Sequence, residues 1–563
     1  MYNPLKWSAE LISSFFTQGV EYAVISPGSR STPLTLAAAF HPHLKTTVVL
    51  DERSAAYLAL GIGKATGKPA LLICTSGTAV ANYYPAVIEA GNSGVPMIIL
   101  SADRPPNFRG IGSSQTIDQL KIFGNHTVFF HDAGEPKPDN RDYKRLIYAA
   151  KQAVDRSISH GGASHINLPF RKPLEPNPHQ VKEIKKLYED AGLPISGVPA
   201  FNIVHAEKET YGQFNAASRP LIIAGPANTH HQLQSHIHHL SALLNAPIIA
   251  EPGSGLESSE FIIHRYEQFL RNENALDELT PDMIIRFGDQ PFTKSILSAM
   301  DRWADAPVIH VASRPGTQDE ALSVRQKLFV RKNDSFDLTA VPQKANPNWL
   351  QKWQVYDKQA DDLLEESLGQ FNELSDGHIF HHLSGELANH WNVMLSNSFP
   401  VRDMALFGKP GTRQFVNRGA AGIDGITSTA LGIHLATGMP TCCITGDLAF
   451  LHDSNALLSI HPSGHRFLVV VINNGGGTIF RMLPINQAET KVLPDELFAQ
   501  YFETPQQTDI GHLATAAGLH FQRITSIDEL KSFRPDKIQG SAIVECITNP
   551  DQSMKQRQKL WNF

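Results

Sequence analysis

The chain has 563 residues, 42% of them hydrophobic and 18% charged, with a formal net charge of −6. That length exceeds what one hydrophobic core supports and predicts three or four domains of ~100–200 residues each. The acidic balance argues against a nucleic-acid binder, which carries a basic face, and the four cysteines (Cys74, Cys442, Cys443 and Cys546) form no C-x-x-C pair, which argues against a zinc or redox motif and fits a reducing compartment.

The first 18 residues lack the unbroken apolar segment of a signal peptide, and no apolar run reaches the ~18 residues of a membrane span. The expectation is a cytoplasmic protein of enzyme size. Short apolar strands are predicted at 22–26, 46–50, 69–75 and 96–101, with helices between them, one of them over 52–65. Strands alternating with helices imply βαβ units and a parallel sheet covered on both faces. Residues 171–200 are rich in proline and charge and read as a linker. A second alternating block has strands at 221–224, 247–250, 283–287 and 308–311, and a polar stretch at 331–347 reads as the next linker. The third block has strands at 393–396, 441–445, 467–472 and 542–547; adjacent Cys442 and Cys443 in its second strand read as buried thiols. The fold class is therefore α/β, with three doubly wound parallel-sheet domains in series: 1–180, 195–340 and 350–563.

Two pieces of the third block carry the chemistry. Gly446-Asp447-Leu448 ends one strand, and Asn473-Asn474-Gly475-Gly476-Gly477 ends the next; Asn474 follows Asp447 by 27 residues (447 to 474). That interval suits one helix and one strand, so both side chains can meet at the carboxyl edge of a sheet, where open α/β sheets bind ligands. A carboxylate, an amide oxygen and a glycine-turn carbonyl are hard donors that suit Mg²⁺, which completes its octahedron with diphosphate oxygens and water. Glycines there let the backbone approach the phosphates. Taken singly, each piece reads equally as an ordinary turn or the start of a helix; the pair at this interval is the specific signal.

These motifs resemble those of the thiamine-diphosphate-dependent enzyme superfamily, Gly-Asp-Gly followed by Asn-Asn, with Leu448 standing where most members have glycine. In the first block Asp51-Glu52-Arg53 follows a strand and opens a helix. On its own this is a helix-terminal acid facing the dipole, worth a few tenths of a kcal/mol or so. The resemblance instead implies that Glu52 is the catalytic group, hydrogen-bonding the cofactor's aminopyrimidine and promoting loss of the thiazolium C2 proton. It also implies that the first domain binds the pyrimidine and the third the diphosphate, with Mg²⁺ (or Mn²⁺) on Asp447, Asn474 and Gly476. Cofactor contacts would come from Glu52, Ile423, Gly446, Asp447, Leu448, Asn474, Gly476 and Ile479. The active sites would lie at subunit interfaces of a homodimer or homotetramer.

Three further stretches, SPGSRSTPL (26–34), SADRPP (101–106) and VNRGAAGIDG (416–425), with DERSAAYLALGIGKATGKPALLICTSGTAVANYYPAVIEA (51–90), resemble the menaquinone-pathway carboligases of that superfamily. The resemblance implies decarboxylation of 2-oxoglutarate and 1,4-addition of the remaining fragment to isochorismate. Both substrates carry two carboxylates, and arginine's planar fork grips carboxylate bidentately. Motif matches assign substrate binding to Ser29, Arg30, Arg104, Gln115, Lys294, Ser398, Arg402 and Arg418, with Ile479, Phe480 and Leu483 as an apolar wall. The cations read as loop-end residues facing one edge; each alone reads as a surface ion-pair member. The alternatives are another thiamine-diphosphate-dependent 2-oxoacid decarboxylase or carboligase, and a non-catalytic protein of the same fold. No G-x-G-x-x-G follows a first strand, which speaks against a nicotinamide dehydrogenase.

Overall fold

The computed structural model describes residues 3–563 except 191–202, 205, 228–230, 315–317, 331–333, 344–346, 388–389, 410–412, 462–465 and 487–490. Both expected linkers lie partly outside the described residues. Three six-stranded, all-parallel sheets dominate the chain. The first contains β1 (Tyr22–Ile25), β2 (Lys45–Val48), β3 (Leu71–Cys74), β4 (Met97–Asp103), β5 (Thr127–Asp132) and β6 (Ala163–Pro169), in the order 2-1-3-4-6-5. A two-stranded ladder pairs β7 (Ile203–Val204) with β14 (Ser335–Phe336). The second large sheet contains β8 (Pro220–Ala224), β9 (Ile248–Ala250), β10 (Ile262–Ile263), β11 (Met283–Phe287), β12 (Val308–Ala312) and β13 (Val324–Phe329), in the order 10-9-8-11-12-13. The third contains β15 (Asn392–Leu395), β16 (Arg413–Val416), β17 (Thr441–Gly446), β18 (Phe467–Asn473), β19 (His520–Ile524) and β20 (Ser541–Ile547), in the order 16-15-17-18-20-19.

The predicted α/β class with three parallel sheets is the observed one. Central strands such as β3, β8, β11 and β12 are buried along their whole length, as parallel strands under helices on both faces must be. Cys442 and Cys443 lie buried in β17, and all four cysteines are free thiols. The expected linker from 171 differs: helix Pro178–Asp190 forms within it. Its Val181, Ile184, Leu187 and Tyr188 recur at helical spacing and pack on the first core, Ile184 and Tyr188 fully buried, while lysines and glutamates occupy the other face. Among the described residues no helix is long and apolar enough to cross a membrane.

The chain divides into two compact units. One comprises Met1–Val198, Asn417–Gly438 and Asp453–Ser459; the other comprises Pro199–Val416, Met439–His452 and Ile460–Phe563. Part of the third block thus packs with the first sheet. In that unit helix Ile426–Thr437 lies against helix Glu52–Thr66 at backbone contact. A Cβ on Gly61 would stand 2.0 Å from the Thr429 carbonyl oxygen, and one on Gly432 would stand 1.9 Å from that of Leu58.

Candidate functional site

In the first unit, parallel register aligns the carboxyl ends of four strands. Ile25 pairs with Val48 and with Ile73, and Cys74 with Ser101. The segments that follow therefore share one edge: the Ser26–Arg30 turn, Asp51-Glu52, the Thr75–Gly77 turn, and Arg104. Gly28 approaches Thr75 so closely that a Cβ would meet its side chain at 2.3 Å. Arg30 is buried and donates through Nη1 to the Phe170 carbonyl (2.7 Å), while Ser29 beside it is exposed.

Asp51 caps helix Glu52–Thr66 by accepting from the Ser54 amide (3.1 Å), and its other oxygen accepts from Asn455 (2.6 Å). Gly67 closes that helix in the left-handed conformation at φ +65°. Glu52 is therefore the first helical residue, half-buried at the sheet edge. Burial pushes the Cys74 thiol and the Tyr83 phenol up, and the nearby Glu52 carboxylate adds to both shifts.

Arg104 follows β4, and its buried Nε finds no partner among the described residues. Gln115 is exposed at φ +54° and is held on the neighbouring turn: its Nε2 donates to the Ser76 carbonyl (3.0 Å) and its own carbonyl accepts from Ser76 Oγ (3.1 Å). Behind them runs a buried polar network with no signature in the sequence. Gln119 accepts from the Gly77 amide (2.9 Å) and donates to Asn167 (3.0 Å). Asn167 donates to Asp103 (3.0 Å), which also receives Arg109 (2.7 Å), and Ser101 bonds both Asn167 (3.0 Å) and the His165 ring (2.7 Å). Burial raises the Asp103 carboxyl and lowers His165 to about 3.

The loop carrying Arg418 and Ile423 is anchored on this same unit. Glu89, 2% exposed, accepts from the amides of Gly419 (3.0 Å) and Ala420 (2.6 Å) and lies 3.7 Å from Lys64. Tyr57 donates to Asp424 (2.5 Å), and Gly425, at φ +66°, sits where a Cβ would enter the Tyr57 ring. Glu89 and Tyr57 are positioning residues that sequence reading missed. Ile423 is partly exposed.

In the second unit, Gly446 pairs with Ile472, so β17 and β18 end level. Asp447 opens helix Asp447–His452 and is buried; burial raises its carboxyl, while amides of Leu448 and Gly476 pull it down and Asp376 adds to the rise. Leu448 donates its amide to Asp447 Oδ1 (2.8 Å) from inside a helix, without the positive φ that would demand glycine. That is why leucine is tolerated there. Beyond β18, Asn473 donates to Glu545 (2.7 Å) and Asn474 to Asp376 (3.4 Å). Gly476, at φ +120°, would place a Cβ 2.3 Å from the Glu503 carbonyl oxygen. Around Gly446 a Cβ would meet nothing within 4 Å.

Below the Asn474 loop lies a second buried network. Arg557 grips Asp403 through Nε (2.8 Å) and Nη2 (2.5 Å) and reaches Asp376 through Nη2 (2.5 Å). Burial alone would lower the Arg557 guanidinium; the two carboxylates outweigh it and hold it above its ordinary value. Burial also pushes Asp403 up to about 6 despite Arg557.

Ser398 and Arg402 follow β15, whose Leu395 pairs with Ile444 of β17, so they start from the same edge as Asp447. Not every cation stands at a loop end, as the sequence reading expected. Arg402 lies within helix Phe399–Phe407, donating to the Ser398 carbonyl (2.6 Å), and burial lowers its guanidinium. Lys294 is exposed and opens helix Lys294–Arg302 after β11 of the second large sheet. Three sheets each supply their own edge. Ile479, Phe480 and Leu483 lie on and just after the 3₁₀ turn Thr478–Met482; Phe480 and Leu483 are exposed. A cavity of about 430 Å³ among Leu368, Phe371, His381, His382 and Ile527 is lined by none of the candidate residues.

The donor chemistry fits a hard divalent cation bound to diphosphate: one buried carboxylate, one amide and a glycine turn at level strand ends, with open space over Gly446. Comparison with known proteins supports the diphosphate cofactor. Residues 7–122 match the thiamine pyrophosphate enzyme N-terminal TPP binding domain, and residues 403–545 match the C-terminal TPP binding domain. Among curated relatives, a 2-succinyl-5-enolpyruvyl-6-hydroxy-3-cyclohexene-1-carboxylate synthase of Microcystis aeruginosa is 36% identical over 92% of this chain and 91% of its own. Synthases of the same name from Chloroflexus aurantiacus (34%, over 99% of this chain and 95% of theirs) and Listeria innocua (32%, over 98% and 96%) are similar. The chain therefore belongs to the family of thiamine-diphosphate-dependent 2-succinyl-5-enolpyruvyl-6-hydroxy-3-cyclohexene-1-carboxylate synthases.

Proposed function

We propose that this enzyme decarboxylates 2-oxoglutarate and adds the resulting four-carbon fragment to isochorismate, with thiamine diphosphate and Mg²⁺ or Mn²⁺ bound, in menaquinone biosynthesis. The observation that carries this reading is the level ending of β17 and β18, which sets Asp447 beside the Asn474–Gly476 turn. The cofactor supplies the electron sink for decarboxylation when bound. Asp447, Asn474 and the Gly476 carbonyl hold the cation, and the glycines admit the diphosphate. Glu52 holds the proton at the pyrimidine end. Ile423 and Ile479 pack against the cofactor, and Gly446 and Leu448 lie along it.

Arg30, Arg104, Lys294, Arg402 and Arg418 bind substrate carboxylates, with Ser29, Gln115 and Ser398 as polar contacts; holding two dianions in register supplies much of the rate gain. Phe480, Leu483 and Ile479 exclude water from the reacting centre. The assignment of residues 1–180 to the pyrimidine, 195–340 to a central domain and 350–563 to the diphosphate belongs to the same reading. So does a homo-oligomer in which Glu52 of one subunit and Asp447 of another serve one cofactor. The partly exposed Ile423 and the exposed Val48 and Leu50 beside the Glu52 helix support such an assembly. The test mixes enzyme, thiamine diphosphate, Mg²⁺, 2-oxoglutarate and isochorismate and detects the coupled product by mass. Release of succinic semialdehyde alone, with isochorismate untouched, would replace this reading with that of a simple decarboxylase.

A further inference from the structure

We propose that Arg557, on the C-terminal helix Pro550–Trp561, is a positioning residue that holds the metal loop and the substrate helix in one register. The inference rests on the proposed metal role of Asp447 and Asn474. Three side chains form the device, each about 1% exposed: Arg557, Asp376 and Asp403. Asp403 neighbours Arg402 on helix Phe399–Phe407, and the Arg557 fork takes both of its oxygens at 2.8 and 2.5 Å. The guanidinium also lies 3.7 Å over the ring of Phe399, the first residue of that helix. One face of Arg557 thus fixes the helix that bears Arg402.

The other end of the device reaches the metal loop. Asp376 Oδ2 accepts from Arg557 (2.5 Å) and from Asn474 Nδ2 (3.4 Å), while its Oδ1 accepts from Thr548 Oγ1 (2.7 Å). With the Asn474 amide nitrogen committed to Asp376, its oxygen is the end left to face a cation. Such outer contacts orient first ligands and set metal affinity.

The contact of Asp376 with Asn474 separates this role from a plain buried ion pair. One guanidinium would be neutralised by one carboxylate, and a second buried carboxylate is costly unless something offsets it. Arg557 bonds both carboxylates, Arg402 acts on Asp403 as well, and Asp376 is the carboxylate that stands behind the loop whose donors face the metal. A divalent cation at Asp447 and Asn474 complements the Asp376 carboxylate.

The test uses the full-length enzyme with thiamine diphosphate and reads Mn²⁺ binding from the electron paramagnetic resonance of the free ion, independently of turnover. Asp376→Asn leaves Arg557 paired one-to-one with Asp403, so the fold survives, but removes the negative charge behind Asn474 and leaves one amide oxygen in place of two carboxylate acceptors. Mn²⁺ affinity should fall about 10–100-fold while the KM for 2-oxoglutarate at saturating Mn²⁺ stays unchanged. Arg557→Lys keeps the charge and loses the fork, so Mn²⁺ affinity should fall and that KM should rise together. A purely structural role would lower the melting temperature of either variant and leave both readouts alone. Folded Asp376→Asn enzyme with wild-type Mn²⁺ affinity overturns the inference while the metal site stands. Wild-type enzyme that binds no Mn²⁺ overturns the metal reading, and this inference with it.

Discussion

Glu52 and Asp447 differ in how the backbone presents them. Glu52 is the first residue of a helix whose cap, Asp51, is itself held by Asn455, so its carboxylate is aimed by a rigid terminus and not by a mobile loop. We expect Glu52→Gln to retain thiamine diphosphate, measured by equilibrium dialysis, and to lose turnover by about 10²–10⁴-fold, the range for removing a positioned acid or base. Wild-type turnover in that variant would remove Glu52 from the chemistry. Asp447→Ala should do the reverse in character, releasing cation and cofactor on dialysis. Gly476 is a third kind of residue, required for its backbone. At φ +120° and with the Glu503 carbonyl in the way, Gly476→Ala should cost about 1–3 kcal/mol of stability or displace the turn, and Mn²⁺ titration should show weakened binding. The roles of Glu89, Tyr57, Gln119 and Arg557 were not legible in the sequence, because each acts on a partner hundreds or tens of residues away: Glu89 on Gly419, Tyr57 on Asp424, Arg557 on Asp376.

At the scale of elements, the contact between helices Glu52–Thr66 and Ile426–Thr437 is made by glycines with ordinary helical backbone. Gly432→Ala would gain about 1 kcal/mol of helix propensity. Overpacking costs about 1–3 kcal/mol even against side chains that can shift, and here the new Cβ meets the Leu58 carbonyl at 1.9 Å, backbone on backbone. The expected outcome is a lowered melting temperature, with Gly61→Ala acting alike; an unchanged or raised melting temperature would show that the helices can separate freely. Strands were legible where burial on both faces makes an unbroken apolar run, as in β11 and β12. The edge strands β5, β13, β16 and β19 were not, because one side of each lacks a neighbour and its sequence mixes charge with apolar residues. Strand β6 was missed for another reason. It is fully buried, yet Ser164, His165 and Asn167 in it serve the polar network beneath Arg104 and Gln115.

Across the whole molecule, buried histidines couple the fold to pH. Burial lowers His41, His264 and His310 to about 4 and His165 to about 3. The unfolded chain takes up these protons below pH 6.5, whereas the folded chain refuses them until about pH 3–4. Their contribution to stability is therefore complete above pH 6.5 and is lost as pH falls through that window. Asp357, Asp403 and Asp453, pushed up to about 6 by burial, have the opposite slope, since the fold favours their neutral form and loses stability as pH rises from about 4 to 6. His165→Asn isolates one term. Its melting temperature should lie furthest below wild type above pH 6.5, and the gap should close as pH falls toward 4. A gap independent of pH would mean that His165 takes up its proton equally in the folded and unfolded chain.

The sequence by itself determined the α/β class, the three sheets and the pairing of Gly446-Asp447 with Asn473-Asn474, because apolar runs of strand length and glycine turns at their ends are local signals that survive in one dimension. Family membership rode on the same local signals, since motifs such as SPGSRSTPL and VNRGAAGIDG are contiguous. Only the tertiary structure decided that residues 417–438 pack with the first sheet, that Leu448 needs no glycine, and that Arg557 ties Asp376 to Asp403. These depend on which distant backbone arrives next to which side chain. Burial and charge balance are properties of that arrival, and no local pattern encodes them.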